Sequence, residues 1–125
     1  MKPSRPAALI VEDQPFVGMV ASDILRESGF DTFHAYDASD ATAVLEAHPE
    51  IEVVVTDAQL PGDVTGIELC RRLSQQRPNL RLVVTATSPE QHRSAVPSGA
   101  RMLRKPYASG ELRSVASNEK MLADA

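Results

Sequence analysis

The sequence predicts a doubly wound α/β domain in which helices cover both faces of a five-stranded parallel sheet. Three observations favour this fold class: short apolar runs that suit buried strands, intervening segments with apolar residues at helical spacing, and Gly or Pro near the boundaries. Strands that are apolar throughout are typical of parallel sheets covered on both sides. The predicted strands are residues 8–11, 32–35, 51–56, 80–86 and 101–104.

Two helices are predicted in the first half of the chain. The apolar face of the first consists of Phe16, Val17, Val20, Ile24 and Leu25. Gly29 ends this helix, because glycine readily adopts the left-handed conformation found just beyond a helix. Either Asp37 or Ser39 caps a second helix that runs to about Ala47.

Three further helices are predicted in the second half. The apolar side of the third helix consists of Ile67, Leu69, Cys70 and Leu73. That helix stops before Pro78, because the residue preceding a proline disfavours the helical conformation. Residues 88–96 form a short fourth helix closed by Pro97 and Gly99. Ser109 caps the last helix, whose apolar side is Leu112, Val115, Ala116 and Leu122.

The composition bounds the possible function classes. A chain of 125 residues with 42% hydrophobic residues fits one packed domain, predicted over residues 8–122 after a tail at 1–7. The net charge of −4 is spread along the chain without a basic stripe, so no direct nucleic-acid binding is expected. No apolar run suits a membrane span or a signal peptide, and the single cysteine excludes an internal disulfide. These features predict a cytoplasmic protein.

Polar residues stand at the ends of four of the predicted strands. Glu12 and Asp13 follow the first strand, Asp57 follows the third, Thr85 ends the fourth and Lys105 follows the fifth. In open parallel sheets, the functional crevice lies outside the carboxyl ends of the strands. We therefore expect these five side chains to converge on one crevice.

Three carboxylates in one crevice repel each other unless positive charge lies between them. Lys105 supplies one positive charge, and a divalent cation would balance the remainder. Oxygen ligands suit Mg²⁺, which keeps several waters that a phosphate can replace. A carboxylate beside such an ion can attack phosphorus, so Asp57 is predicted as a phosphoryl acceptor. Thr85 and Lys105 are predicted to contact the phosphoryl group.

Each of these residues also has a purely structural interpretation. Glu12 and Asp13 suit a solvated turn, and Asp57 suits the cap of a loop. Thr85 is a common strand residue, and Lys105 suits an exposed surface. Only the convergence of all five favours the functional interpretation.

Four short motifs resemble those of response regulator receiver domains of two-component signalling, over essentially the whole chain. Their order matches the family, and each lies at the end of a predicted strand. The motifs are Val11-Glu12-Asp13, Thr56-Asp57-x-x-Leu60-Pro61, Val84-Thr85-Ala86 and Lys105-Pro106-Tyr107.

The resemblance implies a role for each residue of the crevice. Asp57 would accept a phosphoryl group from a phosphohistidine, with at most self-catalysed transfer and hydrolysis and no other enzyme activity. Glu12, Asp13, Asp57 and the backbone carbonyl of Gln59 would hold Mg²⁺. Thr85 and Lys105 would contact the phosphoryl group and so respond to the phosphorylated state. Two further residues would flank the path of a hydrolytic water, namely Gln59 and Thr87.

The resemblance also implies a flavodoxin-like strand order of 2-1-3-4-5 and a set of partners. These are a sensor histidine kinase or phosphotransfer protein, a downstream protein target, and a second copy of the chain in a possible homodimer. No output domain is expected, so the signal would pass through a phosphorylation-dependent surface, usually on the last two helices and strand five, or through relay of the phosphoryl group.

Three features depart from the usual family pattern. Gly66 lies nine residues after Asp57, which predicts an active-site loop one residue longer than the commonest form. Met102 occupies the position of the usual aromatic switch residue, and Tyr107 does not replace it. The stretch from Thr85 to Lys105 is short, so the fourth helix is predicted to be short, mobile or partly irregular.

Two other functions remain open from the sequence. A receiver-shaped adaptor that acts without phosphorylation would explain Met102 and the short fourth helix, but not the complete crevice. A flavodoxin-like or phosphatase enzyme is disfavoured, because the first loop lacks a phosphate cradle and Gln59 replaces the second acid of haloacid-type phosphatases. No metal role is predicted for the histidines, His34, His48 and His92, which lie on separate elements.

Overall fold

A computed structural model describes residues 5–117, which form five strands and four α-helices. The strands are β1 (Ala7–Val11), β2 (Asp31–Ala35), β3 (Ile51–Asp57), β4 (Arg81–Ala86) and β5 (Arg101–Arg104). The helices are α1 (Pro15–Glu27), α2 (Ala38–Ala47), α3 (Gly66–Gln76) and α4 (Ser109–Ser117). All strand pairs are parallel in the order β2-β1-β3-β4-β5, which confirms the predicted fold class. Between residues 5 and 117, no helix has the length and hydropathy to cross a bilayer.

The central strands are buried on both faces because helices pack on each side of the sheet. In β3, Val54 packs into the layer shared with α2 and α3, whereas Val53 and Val55 point into the layer shared with α1 and α4. Each fully buried Val or Leu contributes about 1.5–3 kcal/mol relative to its exposed state. This burial fixes the register of the strands, and so it aligns their carboxyl ends at one edge.

Helix caps settle two predictions made from the sequence. Asp37, rather than Ser39, caps α2, with its carboxylate accepting the backbone N–H of Asp40 at 2.8 Å. The prediction that Ser109 caps the last helix is wrong, because Ser109 is its first helical residue. Glu111 reaches back instead and accepts the N–H of Ala108 at 2.8 Å. The predicted contribution of Leu122 lies outside the described residues.

The segment between β4 and β5 contains no α-helix, so the fourth helix predicted over residues 88–96 is absent as such. Two 3-10 turns, Pro89–Gln91 and Arg93–Ala95, replace it. Pro97 contributes to this, because the residue before a proline disfavours the helical conformation and Val96 is extended there. The stretch between Pro89 and Pro97 leaves about two turns, too few for a stable α-helix. The prediction of an irregular segment is thereby confirmed. We refer to residues 87–100 as the 87–100 segment.

The side chain of Arg104 tethers the 87–100 segment to the end of β5. Its guanidinium donates to the carbonyl oxygen of Thr87 at 3.3 Å and forms an ion pair with Glu90. Both partners are exposed, so solvent screens the ion pair and weakens it. Buried Pro89 and the partly buried Val96 and Ala100 also attach the segment to the core, so it is held by side chains of two short turns and not by a packed helix.

Hydrogen exchange tests this description of the 87–100 segment. We expect the amides of Gln91, His92 and Ala95, each bonded across a single 3-10 turn, to exchange at least about 100-fold faster than those of Val54 and Val55. Exchange measured by NMR under native conditions provides the comparison. Equal protection of the two sets would contradict the irregular segment.

Candidate functional site

Lys105 bridges two carboxylates at the carboxyl edge of the sheet. Its Nζ donates to Oδ2 of Asp57 at 2.9 Å and to Oε1 of Glu12 at 3.2 Å. Asp57 is the last residue of β3, whereas Glu12 follows β1 and Lys105 follows β5. The side chains of Glu12, Asp57 and Lys105 retain 5%, 17% and 21% of their exposure, so solvent screens these ion pairs only partly.

Asp13 completes an acidic cluster with Glu12 and Asp57. One carboxylate oxygen from each residue lies within 4.8 Å of the others. Burial raises the pKa of Glu12, although the charge of Lys105 lowers it in part. Burial opposes the charge on Lys105, but its hydrogen bond to Asp57 and the charges of both carboxylates outweigh burial, so the pKa of Lys105 is raised. The site therefore keeps Lys105 protonated, with its positive charge next to the cluster of three carboxyl groups.

The backbone around Glu12 fixes the direction of its carboxylate. The N–H of Glu12 donates to the carbonyl of Ala35 at 3.0 Å, and its own carbonyl lies 3.0 Å from Nε2 of His34. The N–H of Gln14 donates to Oε2 of Glu12 at 3.2 Å. Strand β2 thus positions the acidic loop after β1 through both main chain and side chain.

Gly66 lets helix α3 begin directly against Asp57. A Cβ atom added to Gly66 would lie 1.6 Å from the carbonyl oxygen of Asp57, a distance that no side chain can occupy. The N–H of Gly66 donates to the carbonyl of Ala58 at 3.0 Å, while Thr65 caps the helix. The loop between Ala58 and Gly66 accommodates the extra residue through a turn at Gly62, whose φ is +94°.

Thr85 lies beside Asp57 on the neighbouring strand. The two residues are register partners of β3 and β4, and Thr85 is only 3% exposed. Its carbonyl accepts the N–H of Ala58 at 2.8 Å, which fixes the chain just after Asp57. Within residues 5–117 its hydroxyl makes no hydrogen bond, so this group is free to donate to a ligand at Asp57.

A cavity of about 330 Å³ opens over Asp57 and Lys105. Gln59 and Thr87 also line it, as expected for residues that flank the approach to Asp57. The N–H of Gln59 donates to Oδ1 of Asp57 at 3.2 Å, which leaves Oδ2 facing Lys105. Of the predicted site residues, Asp57, Gln59 and Lys105 line this cavity. Glu12 and Asp13 join the site through the acidic cluster with Asp57, and Thr85 joins it as the register partner of Asp57.

The donor set of this cluster fits a hard divalent cation. Three carboxylates offer oxygen ligands, and one lysine does not neutralise them. No histidine or cysteine belongs to the cluster in the described part of the chain, so a thiolate- or imidazole-preferring metal is disfavoured. The prediction of Mg²⁺ ligands among these acids is compatible with this arrangement.

Two supporting residues were missed from the sequence. His34 was predicted only to have no metal role, yet its ring contacts the carbonyl of Glu12. No sequence signal pointed to this contact, since it depends on the pairing of β2 with β1. Gly66 was noted for its spacing alone, and its close approach to Asp57 follows from the start of α3.

Met102 and Tyr107 lie on opposite faces of the sheet. Met102 is half-buried against the layer of α2 and α3, next to Val84 on β4. Tyr107 packs against the layer of α1 and α4, where burial raises its pKa. Tyr107 therefore cannot take the place of Met102, in line with the expectation from the sequence.

Comparison with known proteins places this fold and site in a family. The family model described as the response regulator receiver domain matches residues 8–117. The chain therefore belongs to the response regulator receiver domain family.

Individual relatives agree with this assignment. The DNA-binding response regulator MtrA of Mycolicibacterium smegmatis is 40% identical over 74 residues, which cover 58% of this chain and 31% of that protein. The sensor protein TorS of Escherichia coli is 32% identical over 75 residues, which cover 60% of this chain and 8% of TorS. The chain thus matches a minor part of each relative's length.

The fold agrees with solved structures. A response regulator receiver protein from Sinorhizobium medicae superposes with a TM-score of 0.85 at 21% identity, covering 92% of this chain and 94% of that one. At this identity the likeness concerns the fold alone.

Substitution of Gly66 tests how α3 positions Asp57. We expect Gly66→Ala to lower the free energy of unfolding by about 3 kcal/mol, because the new methyl group collides with rigid backbone. Gly110→Ala is the matched control, since nothing lies within 4 Å of its Cβ position. In helix α4 this control is expected to stabilise by about 0.5–1 kcal/mol. The free energy of unfolding of each variant is measured by urea denaturation. Equal changes for Gly66→Ala and Gly110→Ala would contradict the close approach of Gly66 to the backbone of Asp57.

Proposed function

We propose that this domain is a phosphorylation switch in which Asp57 accepts a phosphoryl group from a phosphohistidine. The bridge from Lys105 to Asp57 and Glu12, within a cluster of three acids, carries this proposal. An ordinary surface ion pair does not require two further carboxylates, of which Glu12 is buried and Asp13 is half-buried. The domain turns over no small-molecule substrate, and any catalysis is limited to its own phosphoryl transfer and hydrolysis.

The chemistry is a displacement at phosphorus. A carboxylate oxygen of Asp57 attacks the phosphorus, the phosphorus–nitrogen bond of the donor breaks, and its electron pair returns to the imidazole. Lys105 forms an ion pair with the transferred group, and the hydroxyl of Thr85 donates to one of its oxygens. Mg²⁺ held by Glu12, Asp13, Asp57 and the carbonyl of Gln59 would offset the charge that develops on the phosphoryl oxygens.

The donor surface is proposed to lie on α1, next to the site. Phe16 and Val20 are 74% and 43% exposed although they are large and apolar. A mainly apolar groove of about 360 Å³ runs beside them, and Val17, Thr87 and Lys105 line both this groove and the cavity over Asp57. A sensor kinase or phosphotransfer protein that covers this groove would bring its phosphohistidine to Asp57. Because such kinases use ATP, the reaction is proposed to occur in the cytoplasm.

The output is proposed to pass through the 87–100 segment to a downstream protein. Thr87 lies two residues after Thr85, and Arg104, the residue before Lys105, donates to the carbonyl of Thr87. A phosphoryl group that draws Thr85 and Lys105 towards it would therefore also displace Thr87 and Arg104, whose hydrogen bond ties the 87–100 segment to β5. MtrA is a DNA-binding response regulator, but DNA binding is not proposed for this domain.

Phosphoryl uptake tests the proposal directly. We expect one hydroxylamine-sensitive phosphoryl group per chain after incubation with Mg²⁺ and acetyl phosphate, detected by intact-protein mass spectrometry. Asp57→Asn should abolish uptake because it removes the nucleophile, and EDTA should suppress it. Asp63→Asn, an exposed acid in the same loop, should leave uptake unchanged. No uptake by the unaltered protein, with partner binding intact in Asp57→Asn, would favour the adaptor.

The donor surface has its own test. With any histidine kinase or phosphotransfer protein that phosphorylates the chain, we expect Phe16→Ser to lower kcat/KM of transfer by at least about tenfold, since an apolar anchor is lost. Tyr36→Ser, another exposed aromatic outside the groove, is the matched control. Uptake from acetyl phosphate should stay unchanged in both variants. Equal transfer rates for Phe16→Ser and the unaltered protein would place docking elsewhere.

A further inference from the structure

His92 lines the cavity over Asp57, although it lies seven residues beyond Thr85. It stands between the two 3-10 turns, so its position depends on the irregular course of the 87–100 segment. The same cavity is lined by Asp57, Lys105, Gln59 and Thr87. A volume of about 330 Å³ exceeds several-fold the roughly 30 Å³ that one liquid water occupies, so the cavity has room for a phosphoryl group and water.

His92 is the residue of this cavity suited to take up a proton during hydrolysis. Three titratable groups line the cavity within residues 5–117, namely Asp57, Lys105 and His92. Asp57 would carry the phosphoryl group, and protonated Lys105 has no lone pair to offer. Imidazole accepts and donates protons near neutral pH.

Within residues 5–117, the rings of His34 and His48 have structural partners, whereas the ring of His92 has no hydrogen-bond partner. The ring of His34 contacts the carbonyl of Glu12 at 3.0 Å. The ring of His48 stacks on Phe33 and pairs with Glu50 at 3.1 Å. Within residues 5–117 the ring of His92 makes no hydrogen bond, although it is half-buried. Its ring nitrogens are therefore available to a water molecule in the cavity.

We infer that His92 is a catalytic residue for hydrolysis of the aspartyl phosphate and so sets the lifetime of the phosphorylated state. This inference rests on the proposed function of Asp57. The oxygen of a water molecule attacks phosphorus while one of its protons passes to the imidazole of His92. The bond between phosphorus and the Asp57 oxygen breaks, and its electron pair stays on the carboxylate. Inorganic phosphate leaves, and His92 returns the proton to solvent.

The lifetime of the phosphorylated protein tests this inference. The protein is loaded with acetyl phosphate and Mg²⁺, desalted into Mg²⁺ buffer, and followed by phosphate release. We expect His92→Ala to lengthen the half-life about 100-fold, the lower end of what a positioned general base contributes. His92→Gln should show a similar loss, because its amide forms hydrogen bonds but accepts no proton. Free imidazole should restore release in His92→Ala.

Gln91→Ala is the matched control, because it enlarges the same cavity and keeps His92. It should retain the half-life of the unaltered protein and show no response to imidazole. Normal loading with equal half-lives in His92→Ala and the unaltered protein would overturn the inference while the proposed function stands. A shorter half-life in His92→Ala would also overturn it, because the ring would then shield the phosphoryl group. Absence of loading in the unaltered protein would refute the proposed function, and this inference with it.

Discussion

The ammonium group of Lys105 offsets the repulsion among acids that the sheet forces together. Parallel pairing of β1 with β3, of β3 with β4 and of β4 with β5 aligns the carboxyl ends of these strands, so Glu12, Asp57 and Lys105 meet there. Lys105 contacts two of the three carboxylates, and burial raises the pKa of Glu12, so the charged form of this carboxylate is penalised at the site. Three carboxylates outnumber the one lysine, so the site favours a further positive charge. A phosphoacceptor that works with a divalent cation requires this property.

The supporting structure makes this arrangement rigid on one side and loose on the other. On the rigid side, α3 begins against the carbonyl of Asp57, and His34 on β2 contacts the carbonyl of Glu12. On the loose side, two 3-10 turns occupy the place of a helix, with Arg104 as a tether to Thr87. The output path proposed above depends on this contrast, because the 87–100 segment is expected to open more readily than the buried strands.

Sequence patterns predicted those features that depend on local chemistry. The apolar runs gave all five strands to within one residue, and the polar residues after them identified the acids and Lys105. Two failures have different origins. The Ser109 cap failed locally, because the helix already includes Ser109 and Glu111 accepts the N–H of Ala108. The role of His34 depends on its strand partner, which is distant in sequence. His92 carried no sequence signal, because its place at the cavity follows from the 3-10 turns.

Paramagnetic NMR with Mn²⁺, which prefers the same oxygen ligands as Mg²⁺, tests the central claim most directly. The account predicts that substoichiometric Mn²⁺ first broadens the amide signals of Glu12, Asp13, Asp57, Ala58 and Gln59. Excess Mg²⁺ should reverse this broadening, and Asp13→Asn should weaken it. Broadening that instead began at exposed acids such as Asp23, Glu27 or Asp63, or spread evenly over the acidic surface, would contradict a cation site built around Asp57 and Lys105.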